Sequence, residues 1–234
     1  MAHPIVSRED WLVARTAHLE DEKAFTRARD ALSARRRALP WVRIEKDYRF
    51  RTSAGEKSLS DLFGDQSQLI VIHFMMGPDW EEGCPSCSFW SDTYSGLEVH
   101  LAHRDAAFVA VANTSLEKIA AYRSRMGWSF DWASSLGSEF NRDFNVSFTP
   151  EELAEGRARY NYASKGFPTT EAPGISVFHK PEPDLVVHTY STFGRGLDMM
   201  NGAYQLMDLL PKGRDEDGLD FPMAWVRRRD QYDT

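Results

Sequence analysis

Hydrophobic residues near the start of this 234-residue chain follow a seven-residue register. No proline or glycine interrupts the stretch between Ser7 and Pro40, and Ser7 precedes Asp10 with the spacing of a helix cap. A narrow apolar stripe is formed by Trp11, Phe25, Leu32 and Leu39, and His18 fills the one gap in it. Charged residues occupy the other faces. The pattern predicts one long helix. Its stripe suits either a helix that lies across its own domain or a contact in a homodimer, and both alternatives stay open.

Beyond Leu69 the pattern changes to short, continuous apolar runs separated by helical segments, which is typical of a sheet buried on both faces. Strands are predicted for "LIVIHFM", "AFVAVAN", "GISVFHK" and "LVVHTYS". Helices are predicted from Pro85 to about His103, over "LEKIAAYRSRM", and from about Arg195 to Leu210. Between Pro40 and Leu69, alternating residues and Gly55 predict a β-hairpin. The series indicates an α/β domain that contains a mixed sheet.

Composition and charge narrow the range of partners. The chain is 42% hydrophobic and 27% charged, as in ordinary globular proteins, and its net charge is −7. A negative chain offers no electrostatic attraction for nucleic acid or an anionic membrane. The longest apolar run, "LIVIHFMM", is too short to span a bilayer, and the N-terminus has no apolar signal core. We therefore expect a cytoplasmic protein that acts on small molecules or proteins.

The only two cysteines, Cys84 and Cys87, lie in the stretch "MMGPDWEEGCPSCSFW". They follow a predicted buried strand, and Pro85 opens the helix that carries them. Unpaired backbone N–H groups and the helix dipole favour a thiolate at such a terminus. We expect Cys84 to be the accessible nucleophile and Cys87 the buried thiol that resolves a mixed disulfide.

Three other interpretations of the cysteine pair stay open at this stage. A zinc site would need further ligands from histidines that lack finger-like spacing: His73, His100, His103, His179 and His188. A peroxidatic cysteine normally has a hydroxyl residue three positions earlier, whereas Glu81 stands there. A CxxC pair at a helix start can also do no redox work. We expect no metal and no cofactor.

Several phrases resemble the DUF899 family over nearly the whole chain: "LPWVRIEKDY", "GPDWEEGCPSCSFW", "LEKIAAYRSRMGW" and "STFGRGLDMM". That family is a branch of thioredoxin-like proteins described as predicted dithiol-disulfide oxidoreductases. The resemblance implies a thioredoxin-like α/β fold over residues 40–212. It further implies a helical extension over 1–39 and a C-terminal tail, 213–234, that docks on the domain.

The resemblance also assigns roles to residues outside the CxxC pair. Pro173 matches the cis-proline of thioredoxin-like enzymes, and Ala172 would present its backbone to a substrate chain. Trp80 lies four residues before Cys84, whereas thioredoxins place a tryptophan directly before the first cysteine. His73 occupies the approximate position of a buried acid that assists proton transfer, although a core histidine is an equal alternative.

The acidic residues Asp79, Glu81 and Glu82 are expected to disfavour a nearby thiolate and so to give a reductase-like site. The sequence thus predicts exchange between the CPSC dithiol and a protein or small-molecule disulfide, with an unknown reductant. The alternative is a binding module of the same fold whose groove has aromatic walls: Trp80, Trp90 and Phe193.

Overall fold

The computed structural model describes residues 3–164 and 166–233 and divides the chain into two compact units, Met1–Pro40 and Trp41–Thr234. The first unit contains helix α1 (Arg8–Arg37), and the Ser7 side chain accepts a hydrogen bond from the Asp10 N–H, as the capping pattern predicted. No residue of α1 is buried, and Phe25 in the apolar stripe is 67% exposed. The homodimer contact stays a prediction.

The second unit contains the sheet and six short or medium-length helices within the described ranges. Its strands are β1 (Val42–Arg43), β2 (Arg49–Thr52), β3 (Gly55–Ser58), β4 (Gln68–His73), β5 (Ala106–Ala112), β6 (Asp131–Ser134), β7 (Arg159–Tyr160), β8 (Ala163–Ser164), β9 (Gly174–Glu182) and β10 (Leu185–Phe193). Its α-helices are α2 (Pro85–Ser91), α3 (Leu97–Ala102), α4 (Leu116–Met126), α5 (Phe140–Asp143), α6 (Pro150–Ala154) and α7 (Gly202–Met207). Two 3₁₀ segments cover Asp61–Phe63 and Gly194–Met200.

Strand order identifies the fold. Eight strands form one sheet in the order β1-β10-β9-β4-β5-β6-β2-β3, while β7 and β8 form a separate ribbon. The neighbouring strands β4, β5 and β6 are parallel. Strand β9 runs antiparallel to β4 and pairs with β10 as a hairpin. A cysteine-bearing helix after a central strand, a parallel crossover and a final antiparallel hairpin constitute the thioredoxin-like α/β fold that the sequence predicted.

Two predicted helices are interrupted in the structure. The segment that starts at Pro85 divides into α2 and α3, because Gly96 between them adopts φ 90°, a conformation that glycine tolerates and a helix cannot use. The last predicted helix divides into a 3₁₀ segment and α7. There the Asn201 side chain accepts a hydrogen bond from the Tyr204 N–H and so caps α7 at its own start.

The sheet is covered on both faces, as the continuous apolar runs predicted. Ile72 of β4 belongs to one core cluster, together with Cys87 and a group of aromatic rings that includes Trp128 and Trp132. Leu69 and Val71 of the same strand belong to a second cluster. Side chains alternate between the two faces of a strand, so successive residues of β4 enter different cores.

Within the second unit, the C-terminal segment packs near α2 and α4. Val226 is buried, and the Trp225 ring packs edge-on against Phe89 of α2, with 5.5 Å between centroids. Asp230 forms a salt bridge with Arg125 of α4 at 2.6 Å. The segment therefore contributes side chains to the surroundings of the cysteine helix.

Candidate functional site

The two cysteines lie at the N-terminus of α2, immediately after the loop that follows β4. Cys84 is the N-cap residue, and Pro85 occupies the first turn of the helix. The Cys84 N–H donates to the Met75 carbonyl at 3.0 Å, which ties the cap to the end of the central strand. The Ser88 hydroxyl donates to the Cys84 carbonyl at 2.8 Å. Because backbone bonds fix the cap on both sides, the Cys84 side chain has a defined position at the helix end.

The thiols differ in burial and in acidity. Both are free; Cys84 is half-buried, and Cys87 is 8% exposed. The neighbouring Cys87 thiol, with smaller effects from the backbone of Cys87 and Ser86, lowers the pKa of Cys84 from 9.0 to about 6 despite the opposing effect of burial. The same thiol–thiol interaction, together with burial, raises the pKa of Cys87 well above its ordinary value. The pair thus combines a thiolate at neutral pH with a neutral thiol beside it.

Nearby acids are not among the main causes that set the pKa of Cys84. Glu82 forms salt bridges with Arg125 and with Arg228, the latter at 2.7 Å. Glu81 lies 3.3 Å from the Lys118 ammonium. The reductase-like character expected from these acids stays a prediction.

Arg228, which sequence reasoning missed, supports the residue before Cys84. Its guanidinium donates to the Gly83 carbonyl from two nitrogens, at 2.7 and 3.1 Å, and to the Tyr122 hydroxyl at 3.0 Å. The Tyr122 hydroxyl in turn lies 2.8 Å from the Ser88 hydroxyl. Arg228 thereby connects the tail, α4 and α2 around the helix cap. Nothing in the spacing of "VRRRD" distinguishes this arginine from its two neighbours.

Pro173 lies near the thiols, but the predicted cis peptide bond is wrong. Pro173 and Cys87 line the same cavity, whereas the Ala172–Pro173 bond is trans, and no cis bond occurs in residues 3–164 or 166–233. The Ala172 N–H donates to the Val146 carbonyl at 2.8 Å, and the residue is 2% exposed. The Tyr160 hydroxyl donates to the Pro173 carbonyl at 2.7 Å. These two backbone groups have internal partners, so they do not offer a free edge to a substrate chain.

His73 lines the same cavity as Cys87, but most of its ring lies in the core on the other side of the sheet. Its ring stacks on Phe140 and Phe144, with centroid distances of 5.6 and 5.8 Å, in the core on the opposite face of β4 from Cys87. Its Nε2 lies 2.7 Å from the Ser176 hydroxyl. Burial, with a smaller effect from His188, lowers the pKa of His73 to about 3. The imidazole is therefore neutral near pH 7, as in the core alternative, and its part in proton transfer stays a prediction.

The neutral His73 has a consequence for acid stability. The pKa is about 3 in the folded chain and 6.5 as an ordinary histidine, so the unfolded chain binds the extra proton between these values. The free energy of unfolding should therefore fall as pH drops from 6.5 toward 3, by up to about 1.4 kcal/mol per pH unit. In urea unfolding at pH 7 and pH 4.5, His73→Gln should lose less stability on acidification than the native chain. The same substitution at exposed His100 is the control, and equal pH dependence for His73→Gln and the native chain would contradict the prediction.

Trp80 supports the loop rather than forming a wall of the cavity near Cys87. A Cβ added to Gly77 would lie 3.1 Å from the Trp80 ring, so that ring packs closely over the start of the loop. Lys118 donates to the Trp80 carbonyl at 3.1 Å. Trp90 does line the cavity, and its indole N–H donates to the Leu197 carbonyl at 2.8 Å.

A cavity of about 410 Å³ lies beside α2. Ser86 and Cys87 form part of its wall, and most of the remaining surface is apolar. The end of β4, the residues that follow it and the segment after Ala172 contribute Ile72, His73, Phe74, Met75, Pro173, Gly174 and Ile175, while the tail contributes Phe221, Pro222 and Met223. Because the tail has no motif, only the tertiary structure identifies it as a wall of this cavity.

Glu171 is a second residue that the sequence reasoning missed. Its carboxylate accepts hydrogen bonds from the Ser147 hydroxyl at 2.6 Å and the Asn113 amide at 2.9 Å. Burial raises the pKa of Glu171 to about 7 despite these bonds. Its aliphatic part packs beside Gly77, at the base of the loop that leads to Cys84. A lone Glu before Ala-Pro gives no sequence pattern that would have indicated this burial.

Metal ligation has no structural support in the described part of the chain, since no group of three or more His, Cys, Asp or Glu residues there is arranged to hold an ion. The zinc alternative therefore has no candidate ligand set among these residues. Across the same ranges, no helix combines the length and the apolar character that crossing a bilayer requires.

Comparisons with solved structures find weak likeness to thioredoxin-like redox proteins. Peroxidoxin BcpB from Mycobacterium tuberculosis is 12% identical, with a TM-score of 0.46, over 69% of this chain and 93% of that chain. A mutant of peroxiredoxin Q from Xanthomonas campestris is 15% identical, with a TM-score of 0.44, over 68% and 90%. A secreted Mycobacterium tuberculosis disulfide oxidoreductase is 13% identical, with a TM-score of 0.38, over 63% and 84%.

Sequence comparisons assign the family. No curated protein matches the chain significantly. The model of a family described as "Bacterial protein of unknown function (DUF899)" matches residues 1–232, which include the cysteine pair, the supporting arginine and the cavity-lining tail. The chain therefore belongs to the DUF899 family.

Proposed function

We propose that this protein catalyses thiol–disulfide exchange, with Cys84 as the nucleophile and Cys87 as the resolving thiol. The observation that carries the proposal is the pair of free thiols at the N-terminus of α2, with Cys84 at the cap and Cys87 buried one turn further on. The pKa of the cap cysteine is lowered to about 6 there. A thiolate at neutral pH with a second thiol beside it is the arrangement that two-step exchange requires.

The exchange proceeds in two balanced steps. The Cys84 thiolate attacks one sulfur of a substrate disulfide, forms a mixed disulfide and releases the other sulfur as a thiolate, which takes up a proton. Cys87 then loses its proton and attacks the Cys84 sulfur. The products are a Cys84–Cys87 disulfide and a second substrate thiol. An external dithiol must reduce the site again, and a reducing compartment such as the cytoplasm suits this cycle.

A binding module of the same fold is the competing function, and the cavity beside Cys87 is the observation that favours it. The two functions predict different results for the Cys84→Ser, Cys87→Ser double variant. An oxidoreductase loses disulfide reduction, whereas a binding module keeps its ligand affinity and has no turnover to lose. A native chain whose two thiols show no defined reduction potential against glutathione or dithiothreitol would contradict the proposed function.

Cys84 should be alkylated before Cys87, with a rate that rises through about pH 6. The thiolate is the reactive form, the pKa of Cys84 is about 6, and the pKa of Cys87 lies far higher. Limited iodoacetamide labelling of the native chain from pH 5 to pH 9, followed by peptide mass mapping, measures both thiols. Cys84→Ser is the control, in which labelling of Cys87 should be slow until the pH is alkaline. Earlier labelling of Cys87, or a midpoint for Cys84 near that of a free cysteine, would reverse the assigned roles.

A further inference from the structure

We infer that the cavity beside Cys87 binds one hydrocarbon arm of a small, uncharged organic disulfide. This inference rests on the proposed exchange reaction and names its substrate class. The cavity of about 410 Å³ is large enough for part of a small molecule, and Cys87 itself forms part of the wall. Because Cys87 lies in the first turn of the helix that Cys84 caps, a ligand in the cavity lies one side chain away from the nucleophile.

The charged groups at the cavity already have partners in the chain, and the most exposed of them, Arg195, lies 3.5 Å from Asp198. The Arg214 guanidinium bonds to Asp198 at 2.8 Å and to Asp208 at 2.6 Å, and it covers the Tyr204 ring at 4.0 Å from the centroid. Glu216 accepts from the Tyr204 hydroxyl at 2.6 Å and from the Trp225 indole at 2.7 Å. A charged substrate would have to displace these bonds, so the interior favours an uncharged, apolar arm.

The backbone beside the cavity offers a protein disulfide fewer unpaired groups than a thioredoxin with a free backbone edge offers. The Ala172 N–H is bonded to Val146, and the Pro173 carbonyl accepts from Tyr160. Substrate chains that add to a sheet edge need such groups unpaired. The occupied edge therefore favours recognition by burial of hydrocarbon in the cavity over recognition of a peptide backbone.

The cavity position fits the second step of the exchange. After Cys84 attacks, one arm of the substrate leaves as a thiol, and the other stays bonded to Cys84 as a mixed disulfide. An arm held beside Cys87 keeps that mixed disulfide next to the resolving thiol. Attack by Cys87 on the Cys84 sulfur then releases the retained arm as the second thiol, and an external dithiol restores the site.

A series of dialkyl disulfides of increasing chain length tests the inference. With dithiothreitol as the recycling dithiol, each added methylene per arm should raise kcat/KM about three- to fourfold until the cavity is filled, as expected for burial of one CH₂ group. Rates are corrected for the direct reaction of each disulfide with dithiothreitol. Glutathione disulfide and insulin serve as the charged and protein substrates and should react more slowly than dibutyl disulfide.

Two variants test the place of binding. Met223→Trp should fill the cavity and remove most of the chain-length dependence, whereas Leu219→Trp lies in the same tail, away from the cavity wall, and should preserve it. Binding is also measured without redox chemistry, by titrating dibutyl sulfide into the Cys84→Ala, Cys87→Ala variant and following tryptophan fluorescence. This second measurement keeps the inference testable if Met223→Trp does not fold.

The outcomes distinguish the inference from the proposed function. Disulfide reduction without chain-length dependence, or with preference for glutathione disulfide or insulin, overturns the inference and leaves the exchange reaction standing. Binding of dibutyl sulfide without reduction of any disulfide overturns the exchange reaction and supports the binding module. If the double variant does not bind dibutyl sulfide, the inference that the cavity is the binding place is overturned.

Discussion

Cys87→Ala should stop turnover after one event and leave the substrate bonded to Cys84. Without the second thiol, the mixed disulfide has no internal nucleophile, so it accumulates to one equivalent per chain. The same variant loses the thiol that contributes most to lowering the pKa of Cys84, so this pKa should rise from about 6 toward that of an ordinary cysteine. Intact mass spectrometry measures the mixed disulfide, and ultraviolet absorbance of the thiolate measures the titration.

Cys87→Ser separates the two functions of Cys87. A serine hydroxyl in the same position can donate to the thiolate but cannot form a disulfide. The serine variant should therefore fail to turn over, like the alanine variant, while its Cys84 titrates at a lower pH than in Cys87→Ala. Continued turnover in either variant, or an unchanged titration of Cys84 in Cys87→Ala, would contradict the assigned roles.

Gly83→Ala should destabilise the fold and disturb the cysteine cap. A Cβ at this position would lie 2.5 Å from Cε1 of Phe74 and 2.7 Å from Cε1 of Tyr122, two rings of a packed core. Overpacking of this kind costs about 1–3 kcal/mol. For a chain of this size each kcal/mol lowers Tm by about 2–4 °C. The displaced backbone also carries the carbonyl that Arg228 holds, so the alkylation rate of Cys84 should change as well.

Gly218→Ala provides the matched control for Gly83→Ala. Gly218 lies in the exposed tail, and a Cβ there would meet no atom within 4 Å. Its thermal unfolding and Cys84 alkylation should remain close to those of the native chain. Equal Tm values for the two variants would show that the core near Phe74 adapts to the extra methyl group.

Runs of apolar residues and cap residues along the chain account for the successful predictions of local structure. The continuous run in β4 predicted a strand covered on both faces, and Ser7 predicted the cap of α1. Such patterns depend on neighbours along the chain. The sequence did not predict the breaks after α2 and before α7. Gly96 acts through its backbone conformation and Asn201 through a side-chain cap, and the helix-forming residues around both concealed these signals.

The candidate site was predictable only in part, for the same reason. Helix-terminus chemistry depends on sequence-local groups, so Cys84 and its lowered pKa could be anticipated from "GCPSC". The paired state of Glu82 depends on Arg228, which lies far away in sequence. No local pattern specifies that pairing, so the sequence could not show that the Glu82 carboxylate is paired with cations.

The sequence by itself determined the α/β class, the helix that presents Cys84 and Cys87, and the family, because each depends on local periodicity or on motifs along the chain. Tertiary structure decided the face of β4 on which His73 lies, the trans bond before Pro173, and the enclosure of the cavity by Phe221 and Met223. These features result from contacts between segments distant in sequence. Their energies depend on packing and burial, which only the folded chain defines.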